Sequence, residues 1–186
     1  MLDVNIKTEG IKTESMKSEN MKSELINLNL TTYYLGNPVK LYQSPETYIK
    51  TEFVYENGLL ILHLDEKSAL DVSETLITAT LQTFLYRQCK RTIEKRVLYF
   101  QKYFKLKPRK ITIEKSYNKW GTCNSARELT FNYVLITKSP DALDYVVVHE
   151  LCHLLHLNHD RSFWRLLGSI LPNYKEVEKK LSGLDR

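Results

Sequence analysis

His149 and His153 stand four residues apart, with Glu150 beside the first, in the run Val146-Val147-Val148-His149-Glu150-Leu151-Cys152-His153. On an α-helix that spacing places both imidazoles on one face, one turn apart. Two imidazoles so placed can share a metal ion, and a neighbouring carboxylate can take a proton from a water that the ion acidifies. This is the H-E-x-x-H pattern, and its chemistry is metal-assisted hydrolysis. Four of the five histidines lie between positions 149 and 159.

The pattern carries this chemistry only if a helix holds it. Ser139-Pro140-Asp141 is a helix start, with a capping hydroxyl, proline at the first helical position and an acid near the positive end of the macrodipole. The next dozen or so residues are strongly apolar, so the helix is expected to be buried on most sides. A His-Glu-His set on a buried helix needs polar partners, because an unsatisfied buried ionisable group is costly. A metal and its water supply them.

A catalytic zinc site takes three protein ligands and leaves one position open. His156 lies on the same helical stripe, but three ligands stacked along about 10 Å of helix axis approach an ion nearly in line. On a continuing helix His159 would be rotated away from His153 by roughly 240°. It ligates only if the chain leaves the helix and turns back, and Asn158, tolerant of the left-handed conformation, precedes it. His159 is therefore the expected third ligand, with His156 as a helix-end neighbour. A carboxylate from a later helix, Glu176 or Glu178, is the alternative.

Four separated blocks carry a family resemblance: Lys119-Trp120-Gly121-Thr122-Cys123, Asp144-Tyr145-Val146-Val147-Val148 running directly into His149-Glu150-Leu151-Cys152-His153, then Asn158-His159 and Phe163-Trp164. In this order they resemble the YgjP-like metallopeptidases, with Thr122 where that family has serine. The likeness runs from about Ile111 to Leu181. It implies a zincin-like fold and a zinc-dependent hydrolase acting on peptides or proteins. It also implies one Zn2+ held by His149, His153 and His159, and Glu150 as the catalytic carboxylate. The metzincin pattern does not fit, because His156 stands at its glycine position and all three methionines lie at or before Met21.

Composition sets the frame. A chain of 186 residues, 42% hydrophobic, is long enough for a domain with a real core. Residues 26–186 are read as one such domain. Residues 1–25 contain a five-residue repeat, Ile6-Lys7-Thr8-Glu9 to Met21-Lys22-Ser23-Glu24. Neither helix nor strand keeps one face at that period, so a disordered tail is expected. Three cysteines without framework spacing suit a reducing compartment, and no apolar run reaches transmembrane length. A cytoplasmic protein with no membrane contact is the expectation.

The elements that must position the site read as α+β. Strands at 28–34 and 39–42 flank Gly36-Asn37-Pro38, and strands at 47–55 and 59–64 flank Asn57-Gly58, a strong hairpin signal. A long helix is expected from Asp71, with Glu74 completing a capping box. Its apolar stripe runs Ile77, Leu81, Leu85, Cys89, Ile93, Val97, Phe100 and Phe104. Strands at 111–115 and 129–138 would flank a polar loop around Trp120 and lead into the H-E-x-x-H helix, with the second strand at the sheet edge beside the cleft. Asp160 would cap the next helix or orient a ligand histidine. Tyr133, Tyr145 and Arg161 are candidate oxyanion donors. Arg87, Lys90, Arg91, Lys95 and Arg96, with the basic residues from Lys102 to Lys110, could meet phosphates. A metal-stabilised module bound to nucleic acid, or a protease linked to DNA, is thus the rival reading.

Overall fold

The structure, a computed structural model, describes residues 25–183. The repeat-bearing tail, read as disordered, lies outside the described residues except for its last position. The described residues divide into two compact units, residues 25–32 with 39–81, and residues 33–38 with 82–183. The fold class is the α+β expected, with two small sheets and four α-helices among the described residues.

The first sheet holds β1 (Ile26–Tyr34), β2 (Asn37–Tyr48), β3 (Glu52–Glu56) and β4 (Leu59–Asp65), in the order β1-β2-β4-β3. Asn57 and Gly58, at φ 50° and 80°, form the two-residue hairpin turn expected of that dipeptide, with Glu56 opposite Leu59. The turn between β1 and β2 is displaced from its expected place. Leu35 and Gly36 carry the positive φ angles, and Asn37-Pro38 already opens β2. The two hairpins are joined by parallel pairing of β2 with β4. Within this unit His63 stacks on Tyr48 at 3.7 Å between ring centroids, which gives that histidine a structural place.

α1 (Glu74–Phe100) starts later than expected. Asp71 closes a short 3-10 turn, and the hydroxyl of Ser73 accepts from the Leu76 amide at the helix start. Its core face is Phe84, Leu85, Cys89, Ile93, Val97 and Phe100, most of the stripe legible in the sequence. In the second unit, β5 (Lys110–Glu114), β6 (Gly121–Cys123) and β7 (Glu128–Asn132) form a sheet ordered β5-β7-β6. Two expectations fail here. The loop around Trp120 contains the strand β6, and β7 is the central strand, with β5 and β6 at the edges. Residues 133–138 do not extend β7. Asn132 ends the strand by accepting the Val134 amide on its side chain and sending its side-chain amide to the Ser116 carbonyl. Tyr133–Thr137 then winds into a 3-10 turn that buries Tyr133, Leu135 and Ile136. A short apolar run of this kind fits strand and helical turn equally well by pattern.

That turn delivers the chain to α2 (Pro140–Cys152), capped as expected by the Ser139 hydroxyl on the Ala142 amide. The backbone amides of Leu35 and Gly36 donate to the carbonyls of Ile136 and Thr137. Gly36 is required twice over, by its φ of +82° and because a Cβ there would lie 3.0 Å from the Cα of Ser139. α3 (Arg161–Ile170) and α4 (Tyr174–Gly183) both pack on α2. α1 is tied to α2 by a two-pronged ion pair, Arg96 Nε and Nη2 each 2.5 Å from one oxygen of Asp144. Replacing Asp144 with alanine leaves a part-buried guanidinium without its anion. The loss expected is about 1.5–3 kcal/mol of stability, read as a lower urea midpoint at unchanged slope. An unchanged midpoint would show that the pair does not anchor α1.

Candidate metal centre

Nine residues of α2 are buried, Glu150 among them at 5% exposed. The helix stops at Cys152, earlier than the apolar run suggested, and His153 caps its end in a right-handed conformation. Residues 153–158 then turn back. Asn158 does not take the left-handed conformation expected of it, so the reversal comes from this early stop. Asp160 begins α3 by accepting the amides of Ser162 and Phe163, a cap rather than a partner for a ligand histidine. Trp164 closes the loop by donating its indole N–H to the His159 carbonyl at 3.0 Å while stacking on the His159 ring.

The result is convergence of three imidazoles. Nε2 of His149 lies 2.9 Å from Nε2 of His159 and 3.2 Å from Nε2 of His153. Among the described residues these three are the one group of His, Cys, Asp or Glu side chains placed to hold a metal ion, with ligand atoms within 4.8 Å of one another. Phe163, fully buried, backs all three rings at 4.7–4.9 Å. The His156 ring is not part of the group. Its carbonyl accepts from Nδ1 of His153 at 2.9 Å, which leaves the His153 Nε2 lone pair facing the centre. Glu176 and Glu178 also lie outside the group.

The electrostatics fit a cation. Burial, followed by the neighbouring His153 and His159, holds the His149 imidazole down at about 3. Burial also lowers His153. Protons alone serve these nitrogens poorly, since one proton bridges one pair and leaves the third lone pair facing its neighbours. A divalent ion satisfies all three. Among the described residues, the buried side-chain polar atoms without a hydrogen-bond partner are Nδ1 of His149 and Oε2 of Glu150, both at this centre. Desolvation pushes the Glu150 carboxyl up to about 8, with Lys119 opposing the shift.

β6 supplies the wall beside Glu150. A Cβ on Gly121 would lie 2.8 Å from both Cγ and Oε1 of Glu150, so only glycine lets the strand pass so close. A cleft of about 440 Å³ opens there, walled by Lys119, Trp120 and Gly121 on one side and by Glu178, Leu181 and Ser182 of α4 on the other, with His149 and Glu150 at its base. By sequence Trp120 fits a cleft wall and a core anchor equally. It is half-buried, lines this cleft and receives the Lys138 ammonium over its ring. Of the candidate donors, Tyr145 lines the cleft and Tyr133 and Arg161 do not. Burial and the Glu178 charge push the Tyr145 phenol up, and its O–H donates to Oε1 of Glu178 at 3.0 Å. Tyr145 was readable as one turn before His149. Its partner, 33 positions away, was not.

The thiols are not reactive centres. Burial raises Cys89 and Cys152 to about 12 and Cys123, which also faces the Glu150 charge, to about 11.

In comparisons with known proteins, the model of the YgjP-like metallopeptidase domain matches residues 5–183. No curated protein matches the chain. Solved structures similar to it include the metallopeptidase zymogen of Pyrococcus abyssi abylysin, at 20% identity and a TM-score of 0.46, over 50% of this chain and 96% of that one. Among the described residues no helix is long and apolar enough to cross a membrane.

The two perturbed groups give the metal-free protein a signed pH dependence. His149 is lowered on folding, so the folded state favours the neutral imidazole; its contribution is present above about 6.5 and lost as pH falls towards about 3. Glu150, raised on folding, contributes stability that is present below its unfolded value and lost as pH rises through about 8. Chelator-treated protein should therefore lose stability between about pH 6.5 and 8, and Glu150→Gln should remove that decline. Denaturant midpoints across this range test it, and superimposable profiles for the two proteins would contradict it.

Proposed function

The chain belongs to the YgjP-like metallopeptidase family, and from that premise we propose that it is a zinc-dependent peptidase in which His149, His153 and His159 hold one ion and Glu150 moves the proton. The observation that carries this reading is the meeting of three imidazole nitrogens beside a buried carboxylate oxygen that has no other partner. The all-nitrogen donor set suits zinc. When bound, the ion would supply Lewis acidity, bringing a water's pKa towards about 7 and polarising a carbonyl.

The chain's own residues do the remainder. A cation beside Glu150 favours its ionised form, reversing the effect of burial. Oε2 then accepts the proton of the attacking water and returns it to the departing amine nitrogen. His153 is held in the tautomer that ligates by its bond to the His156 carbonyl. β6 pairs with β7 on one side only, so its other edge offers backbone groups to an extended peptide laid along the cleft, and Gly121 lets that peptide approach Glu150. Glu178, fixed by Tyr145, gives the far wall a carboxylate able to receive a substrate N–H or cationic group.

Glu150→Gln is expected to keep its metal and lose turnover by about 10²–10⁴-fold. His153→Ala is expected to lose the metal. Metal content measured beside hydrolysis of a peptide library tests both, and metal retained in His153→Ala would refute the ligand set. A second expectation concerns the wall. Gly121→Ala displaces the Glu150 side chain, so it should bind metal as the parent does while hydrolysing peptides at least tenfold more slowly (about 1.4 kcal/mol of barrier). Undiminished turnover would show that the close approach is incidental.

A further inference from the structure

The chain's charge is unevenly spread. Residues 87–119 carry twelve Lys or Arg against two Asp or Glu, leaving fifteen against twenty for the rest of the 27 and 22. This stretch, running from the second half of α1 through β5 to the Trp120 loop, therefore makes an otherwise acidic chain basic. Of its two acids, Glu94 is on α1 and Glu114 ends β5.

On α1 and the 3-10 turn that continues it, Arg91, Lys95, Leu98, Tyr99, Lys102 and Tyr103 recur at three- and four-residue spacing, which places them along one face. All six are solvent-accessible, Leu98 at 76% and each tyrosine at 50%. The stripe is about 18 Å long at 1.5 Å per residue. Its aromatic and cationic groups are arranged against each other. The Lys102 ammonium lies 4.5 Å from the Tyr99 ring centre and 5.1 Å from that of Tyr103, and the Arg96 guanidinium lies 4.6 Å from the Tyr99 ring. Beyond the turn, Lys115 sits over the ring of Tyr117, which is 86% exposed.

A merely solvated helix face requires cations but no half-exposed rings interleaved with them. We propose that this stripe binds single-stranded nucleic acid, with Lys95, Lys102 and Arg91 against backbone phosphates and Tyr99 and Tyr103 as platforms for unpaired bases. A polyanion complements the charge, and exposed rings spaced among cations are how proteins hold single strands without reading sequence. A duplex keeps its bases stacked away from such rings. A membrane surface would call for a broad apolar face opposite the cations, whereas the opposite face of α1 is the protein core. The stripe is separate from the imidazole centre, so a strand bound here would bring proteins associated with it to the peptidase without occupying the cleft.

The test is fluorescence anisotropy of a labelled oligothymidylate of about 16 nucleotides, titrated with the full chain between about 50 and 200 mM salt. Binding should weaken with salt. Lys95→Gln with Lys102→Gln should lower affinity and flatten the salt slope by about 0.7 for each phosphate no longer neutralised. Tyr99→Ala and Tyr103→Ala should each weaken binding roughly five- to a hundredfold without changing the slope, and Tyr→Phe should restore it. Tyr→Phe also controls for folding, because it keeps the ring that packs on α1. Glu150→Gln should bind as the parent does, so failure of the peptidase reading would leave this result standing. No binding at low salt, equal affinity in the tyrosine-to-alanine variants, tighter binding to the matching duplex, or preference for phosphatidylserine vesicles would each overturn the proposal.

Discussion

Two imidazole nitrogens at about 3 Å from that of His149, with all three within 4.8 Å in a part-buried site, make an arrangement that neutral rings alone do not favour. Burial has made His149 and His153 harder to protonate, His149 most of all. The folding of the second unit sets up this condition. Capping at Ser139 starts α2, the early stop at Cys152 allows the return of His159, and Phe163 fills the space behind the rings. A cation relieves the constraint, and membership of a metallopeptidase family accords with one being present.

Around that centre, long-range contacts supply what the helix cannot. Gly121 stands against Glu150 because β6 pairs with β7 and runs past the helix, and Asn132 fixes the path of that segment through the Ser116 carbonyl. Glu178 arrives from α4 and is held by Tyr145, one turn before the first ligand. The cleft is therefore assembled from a strand edge, the H-E-x-x-H helix and the last described helix, three elements from separate stretches of the second unit. The basic, tyrosine-bearing face of α1 lies outside it.

Much of this was legible in the residues. Local signals with one physical solution read correctly: the Ser139-Pro140 start of α2, the Asn57-Gly58 turn, and the buried face of α1 from its spacing. The histidines that the structure brings together were legible too, although the expected route was wrong. Asn158 plays no left-handed part, because the helix had already ended. The misreadings cluster where local propensity was ambiguous. Tyr133–Thr137 is apolar and β-branched, yet it winds into a 3-10 turn because Asn132 caps it. Gly121–Cys123 is too short and polar to announce itself as a strand, and it becomes one by pairing with β7. The Glu178–Tyr145 bond depends on tertiary packing that no local pattern encodes.

The central claim is that the three imidazoles are a site for one ion whose binding belongs to the fold. Its most direct test is thermal unfolding of the metal-free chain during a zinc titration. The account predicts that the melting temperature rises with the first equivalent and then levels to the slow drift of mass action, and that the same chain with His159 replaced by phenylalanine loses that rise. A melting temperature indifferent to zinc, or an equal rise without His159, would contradict it.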